Sequence, residues 1–191
     1  MDIKLMIQST PNPNALKFVL NVSVKTEGNF TYKKGDDCSG NPLAQAIFEL
    51  SNFIKEVYFF DNYITVTQDG NADWDQLEEK IRGVIIEKIK DHDPNFKVEE
   101  TKTEAKVIPA LTPEIEKINS ILDQTIRPAL QMDGGDLQIT NYQGNILSVF
   151  YQGACGSCPS SSMGTLKAIE NILRDEFNPE IVVELAESHY E

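Results

Sequence analysis

Two of the three cysteines in this 191-residue chain lie in the segment GACGSCPSSSMGTLKAIENIL, which begins at Gly153. Cys155 and Cys158 form a C-x-x-C pattern, and this spacing lets both sulfur atoms point to one spot. Gly153 and Gly156 allow the backbone to turn sharply, and the apolar periodicity that follows indicates a helix. Three roles fit such a pair: packing, thiol–disulfide exchange and metal binding.

Packing and thiol–disulfide exchange both remain open. Buried structural cysteines rarely occur as a glycine-flanked pair on a loop that opens a helix. Exchange requires a thiolate, and the positive end of a helix beginning at Pro159 should lower the pKa of both thiols. Thioredoxin-like proteins, however, carry C-x-x-C after the first central strand of a βαβ pattern, whereas here it follows an apparent antiparallel strand pair.

Metal binding needs more ligands than one such pair supplies. Zinc and iron–sulfur clusters take about four protein ligands, and all-thiolate sites select these over harder ions. Cys38 falls in another predicted domain, and we expect His92, at a helix end, and His189, in the tail, to be solvated. A symmetric dimer would bring two identical loops together and complete a four-thiolate site.

The elements that must position the pair fall into two predicted domains. Residues 98–110 combine charged residues with proline and lack apolar periodicity, which predicts a flexible linker between residues 1–97 and residues 111–191. Strands and helices alternate irregularly in both parts. The predicted fold class is therefore α+β, with two small domains.

In the first domain the pattern predicts strands in DIKLMIQ and ALKFVLNVSV and a helix in PLAQAIFEL. Two strands joined at Asp61 and Asn62 and a long helix from Asp73 follow. In the second domain it predicts one helix from Pro113 through Leu130, a stop at DGGD, and strands in LQITNY and ILSVFY. The cysteine loop, a helix and the strand EIVVEL complete an α-β-β-α-β order, with a three-stranded sheet and two helices on one face.

Charge and composition exclude some classes of function. A net charge of -13 argues against a nucleic-acid partner, because phosphate binding needs clustered basic residues. No apolar run is long enough to span a membrane, and MDIKLMIQSTPNPN lacks the pattern of a leader, so we predict a cytoplasmic protein with reduced thiols. Without a nucleophile–base pair or a phosphate-binding loop, the sequence predicts no enzyme.

IRPALQMDGGDLQI, together with the cysteine segment, resembles the NifU-like C-terminal domain of the Nfu iron–sulfur carriers. TPNPNALKF, PLAQAIFEL, VYFF and YITVT resemble the Nfu N-terminal domain. The resemblance implies that Cys155 and Cys158 are cofactor-binding residues and metal ligands of an iron–sulfur cluster. It further implies that this cluster is usually [4Fe-4S], that a homodimer shares it, and that an upstream assembly scaffold supplies it for transfer to apo iron–sulfur proteins.

Three further features receive structural interpretations. We expect Asp133–Asp136 to end a helix and start a strand, with Asp side chains accepting turn amides. Arg127 should pair with an acidic neighbour rather than contact a cluster. We expect Cys38 to have no functional role. We expect the first domain to contribute the recognition of partner proteins.

Overall fold

The computed structural model describes residues 2–97, 112–156, 158 and 162–186. The chain divides into two compact units, Met1–Glu100 and Thr101–Glu191. The predicted linker at residues 98–110, Pro159 and His189 lie outside the described residues. Within the described ranges, no helix is both long enough and apolar enough to cross a membrane.

The first unit is built on a five-stranded antiparallel sheet with the order β1-β2-β5-β4-β3. Its elements are β1 (Leu5–Ser9), β2 (Ala15–Leu20), β3 (Lys25–Lys33), α1 (Pro42–Glu49), β4 (Ile54–Asp61), β5 (Tyr63–Gln68), α2 (Trp74–Lys88) and a 3-10 turn (Ile89–Asp91). Helix α1 begins where the Asn41 side chain accepts a hydrogen bond from the Ala44 N–H, at 3.1 Å. Both helices bury apolar residues, among them Ile47 and Ile81, in the core of this unit.

Strand β3 is missing from the sequence prediction. It pairs with β4 at one edge of the sheet, and its register shifts between Lys25 and Asn29, where Gly28 has a φ of 65°. The first half of β3 is largely exposed, so alternation between apolar and polar residues is weak there. The predicted strand ALKFVLNVSV also ends early, at Leu20, although Val24 remains buried.

The second unit contains a three-stranded sheet with the order β6-β7-β8, which confirms the predicted α+β class and strand number. Its elements are α3 (Pro113–Thr125), α4 (Arg127–Met132), β6 (Gly135–Gln143), β7 (Ile146–Gly153), α5 (Ser162–Glu176) and β8 (Val182–Leu185). Strands β6 and β7 are antiparallel, whereas β7 and β8 are parallel. Helix α5 is therefore the crossover between two parallel strands.

The single helix predicted from Pro113 through Leu130 is wrong. Helix α3 ends at Thr125 and α4 begins at Arg127. Pro128 has no N–H with which to continue the i to i−4 hydrogen bonds, so the helix breaks there. Leu130 still reaches the core, which explains why its periodicity looked continuous. The observed order is α-α-β-β-α-β instead of α-β-β-α-β.

Candidate functional site

The cysteine loop begins where β7 ends, at Gly153, whose φ is 61°. The Gly156 N–H donates to the Gly153 carbonyl at 3.0 Å, and the Cys158 N–H donates to the Cys155 carbonyl at 3.5 Å. The first hydrogen bond closes a turn that carries Cys155, and the second joins the backbones of the two cysteines. The sulfurs are thiols and form no disulfide.

Both thiols are sheltered from solvent within one chain. Cys155 is 6% exposed and Cys158 is 8% exposed. Cys155 belongs to the apolar core of the second unit, where it packs with residues such as Leu137 and Tyr151. A soft sulfur donor in an apolar setting suits a soft metal centre, and it keeps the thiol away from solvent oxidants.

Burial, together with smaller contributions from negative charge on Asp133, Cys158 and Asp136, raises the pKa of Cys155 to about 12. The expectation of a lowered pKa is therefore wrong for Cys155. The described part of α5 begins only at Ser162, and the influence of a helix dipole fades within one turn. At neutral pH Cys155 is consequently protonated and a poor nucleophile.

The DGGD turn packs directly on the cysteine loop. Gly134 has a φ of 83° and ends α4, as predicted, while its carbonyl accepts a hydrogen bond from the Ala154 N–H at 3.1 Å. Gly135 has another role. A β-carbon at Gly135 would lie 2.6 Å from Sγ of Cys155 and 2.6 Å from the carbonyl oxygen of Gln152. The bare α-carbon therefore leaves the space in which the thiol lies.

Sequence reasoning missed this contact at Gly135. Gly134 alone explains the turn, because it alone of the two glycines adopts a positive φ. The signal for this contact in the sequence was the second glycine itself. One glycine is enough to form the turn, so the second glycine indicates close packing against a neighbouring segment.

Arg127 ties α4 to the start of β6. Its guanidinium donates to Asp123 and to the Asn119 side-chain oxygen, the latter at 2.8 Å, and lies 3.5 Å from the Asp136 carboxylate. The predicted pairing of Arg127 with acidic neighbours is thus confirmed. Asp136 is buried and accepts the Leu137 N–H at 2.7 Å, as expected for an Asp in this turn. Burial nevertheless raises the pKa of Asp136.

Cys38 lies in the first unit, in the loop before α1, and is half-buried. Burial and the neighbouring Asp36 and Asp37 raise its pKa to about 11. Among the described residues, no group of three or more His, Cys, Asp or Glu side chains could hold a metal ion. Cys38 therefore adds no recognisable metal site to the first unit.

His92 follows the 3-10 turn at the end of α2, the helix-end position that the sequence predicts. The prediction that it is solvated is wrong. Its Nε2 lies 2.8 Å from the Val24 carbonyl oxygen, and its ring stacks on Phe59 with the centroids 5.8 Å apart. Burial lowers the pKa of His92, which makes it a packed, neutral side chain and no candidate ligand.

Comparison with known proteins finds matches for both units. Residues 5–92 match the family described as scaffold protein Nfu/NifU N terminal, and residues 118–184 match the NifU-like domain. The protein named "NFU1 iron-sulfur cluster scaffold homolog, mitochondrial" of Drosophila ananassae is 29% identical over 171 residues, which are 89% of this chain and 59% of that protein. The protein of the same name from Drosophila sechellia is also 29% identical, over 89% of this chain and 60% of its own length.

This chain thus spans about 60% of the length of these curated relatives. Among solved structures, the solution NMR structure of a NifU-like protein from Saccharomyces cerevisiae is similar, with a TM-score of 0.43 and 22% identity. That similarity covers 46% of this chain and 79% of the yeast chain.

Proposed function

The chain belongs to the Nfu-type family of NifU-like proteins, and we propose that it carries an iron–sulfur cluster and transfers it to apo-proteins. Cys155 and Cys158 are the proposed ligands. The observation that carries this proposal is the buried thiol pair, joined by a backbone hydrogen bond, within the NifU-like domain. The curated relatives named as iron–sulfur cluster scaffolds support the same function.

The number of donors supports a cluster shared by two chains. An iron–sulfur cluster takes about four protein ligands, and each chain offers two thiols in one loop. The described residues hold no group of three or more His, Cys, Asp and Glu that could complete a site within one chain. We therefore propose a homodimer that binds one [4Fe-4S] cluster through Cys155 and Cys158 of each subunit.

Loading and release are then exchanges of ligands and protons. The Cys155 Sγ holds a proton in the unloaded chain, because burial and nearby negative charge oppose the thiolate. Binding to iron would release this proton to solvent, since the positive charge of the metal compensates the thiolate. When thiolates of an acceptor protein take over the iron atoms, Cys155 would take up a proton from solvent and return to its neutral, buried state. The proposed activity is transfer of cargo, without enzymatic turnover.

The proposed partners follow from this cargo. An upstream assembly scaffold would supply the cluster, and apo iron–sulfur proteins would receive it. The first unit, which matches the Nfu/NifU N-terminal family, is proposed to recognise these partners. The curated relatives are named as mitochondrial, whereas a cytoplasmic location for this chain remains our prediction.

A thiol–disulfide oxidoreductase is the competing function from another class. It needs a thiolate near neutral pH, and the pKa of Cys155, raised to about 12, opposes this. A zinc-binding adaptor is the other competitor, because zinc accepts the same thiolate donors. A cluster carrier binds iron and sulfide, whereas the adaptor binds zinc and the oxidoreductase needs no metal.

Anaerobic reconstitution with ferrous iron and sulfide tests the proposed function. We expect a brown protein with equal amounts of iron and acid-labile sulfide, a [4Fe-4S] Mössbauer signature, and activation of an apo [4Fe-4S] enzyme on mixing. Stoichiometric zinc with no capacity for iron would support the adaptor instead. Reduction of insulin disulfides without cluster binding would support the oxidoreductase.

A further inference from the structure

We propose that Gly135 is a positioning residue for Cys155: its missing side chain leaves the space that the Cys155 sulfur occupies and fixes that sulfur beside the first residue of β6. This inference rests on the proposed function, because it concerns a proposed ligand of the cluster. Helix termination and strand initiation do not explain why the second residue of the glycine pair in the DGGD turn is a glycine. The proposal gives this glycine a role.

The distances leave no room for a methyl group at Gly135. A β-carbon built there would lie 2.6 Å from Sγ of Cys155, 2.6 Å from the carbonyl oxygen of Gln152 and 2.9 Å from the Cys155 nitrogen. All three distances are below 3.0 Å, a separation that β-carbons essentially never show from non-bonded heavy atoms. Any side chain at this position therefore displaces the thiol, the loop that carries it, or both.

Backbone conformation gives no alternative reason for glycine at this position. Gly134 has a φ of 83°, a conformation that favours glycine, whereas Gly135 is not among the residues with positive φ. An alanine at Gly135 thus meets a packing obstacle and no conformational one. This separates the roles of two adjacent glycines that look equivalent in sequence.

The strand itself has little freedom to move away from the thiol. Gly135 pairs with Gly153 in the β6–β7 ladder, and the Ala154 N–H donates to the Gly134 carbonyl at 3.1 Å. The Cys155 side chain, by contrast, moves by rotation about a single bond. A methyl group at Gly135 should therefore displace the sulfur by side-chain rotation, and its contacts with the Gln152 oxygen and the Cys155 nitrogen should shift the loop that carries the sulfur.

The test compares Gly135→Ala with Gly164→Ala in the full chain. Gly164 is the matched control because it lies in α5 of the same unit, and an added β-carbon there meets nothing within 4 Å. For Gly135→Ala we expect cluster binding weaker by about ten- to a hundredfold, as for other residues that orient metal ligands. Iodoacetamide should also alkylate Cys155 of the unloaded variant faster, while the far-UV circular dichroism stays that of the wild type. Gly164→Ala should match the wild type in both measurements.

A folded Gly135→Ala that loads and alkylates like the wild type would overturn the proposal. If even the wild type binds no cluster, the proposed function fails, yet faster alkylation of Cys155 in Gly135→Ala still supports the positioning role and unchanged alkylation overturns it. If Gly135→Ala does not fold, the double variant Gly135→Ala with Cys155→Ala decides. Recovery of the fold shows that methyl and sulfur compete for one space. No recovery shows that the backbone contacts with Gln152 and Cys155, and not the sulfur, require glycine at this position, which overturns the proposal.

Discussion

Cys38 in the first unit and the Cys155–Cys158 pair in the second are held in different ways. Cys38 lies in a loop, where its thiol is 3.6 Å from the carbonyl oxygen of Asp36, two residues earlier in the chain. Cys155 lies in an apolar core, on a turn that hydrogen bonds tie to a neighbouring strand. The pKa is raised at both sites, to about 11 and about 12, so acidity alone does not distinguish them. The presence of a second thiol and deeper burial distinguish the Cys155–Cys158 pair from Cys38.

The largest effect expected from this comparison is a complete loss of binding. Cys155→Ser or Cys158→Ser should abolish cluster binding and cluster-dependent dimerisation, because a hydroxyl is a poor ligand for iron in such clusters. Cys38→Ser should change neither property. Iron analysis and size-exclusion chromatography after anaerobic reconstitution measure both.

Cys38→Ser is the matched control, since it makes the same chemical change outside the proposed site. A Cys158→Ser variant that loads and dimerises normally would remove the distinction between the two sites. Loss of binding in Cys38→Ser would show that the first unit supplies a ligand.

The next effect concerns the ion pair beside the cysteine loop. Arg127→Leu removes the cation 3.5 Å from buried Asp136 and leaves the carboxylate with neutral hydrogen-bond donors alone, which should lower the free energy of unfolding by about 3 kcal/mol. Arg82→Leu is the control, because Arg82 and Glu79 form a largely exposed pair at 3.4 Å and should cost below about 1 kcal/mol. Urea titration followed by amide NMR spectra separates the two units. An equal decrease in the free energy of unfolding for both variants would show that the buried ion pair stabilises the protein no more than the exposed one.

Local signals in the sequence predicted much of the fold. Caps such as Asn41, Asp73 and Thr112 act on their own helix, where each side-chain oxygen accepts an N–H of the first turn. Edge strand β3 was missed because its first half is exposed and charged, and its pairing depends on β4. The break at Pro128 was missed because Leu130 continues the apolar periodicity into α4.

The position of the cysteine pair on a loop before a helix was predictable, but the electrostatics of the candidate site were not. The C-x-x-C spacing and the family resemblance pointed to Cys155 and Cys158. The raised pKa of Cys155 depends on its burial and on nearby acids in the DGGD turn, and the fit of Gly135 depends on how β6 packs against the loop. Both are consequences of tertiary packing, which local patterns do not encode.

The smallest expected effect lies at His92, in the unit without the proposed ligands. Burial lowers its pKa from the ordinary value of 6.5, so below that pH the unfolded chain binds a proton that the folded chain resists. The stability of the first unit should therefore fall slightly as the pH drops from 7 to 5. Trp74, the only tryptophan in the sequence, lies at the start of α2 and reports thermal unfolding of this unit by fluorescence. His92→Gln should reduce the change in stability between pH 7 and pH 5. If the stability of the variant changes with pH as much as that of the wild type, His92 is not the source of the pH dependence.

Native mass spectrometry of the anaerobically reconstituted full chain tests the central claim most directly. The account predicts that the unloaded protein is monomeric and that loading produces a dimer with one four-iron, four-sulfide cluster, because each chain offers two thiol ligands in one loop. Iron and dimer should also appear together as the amount of iron and sulfide increases. A monomer that holds a complete four-iron cluster would contradict the account.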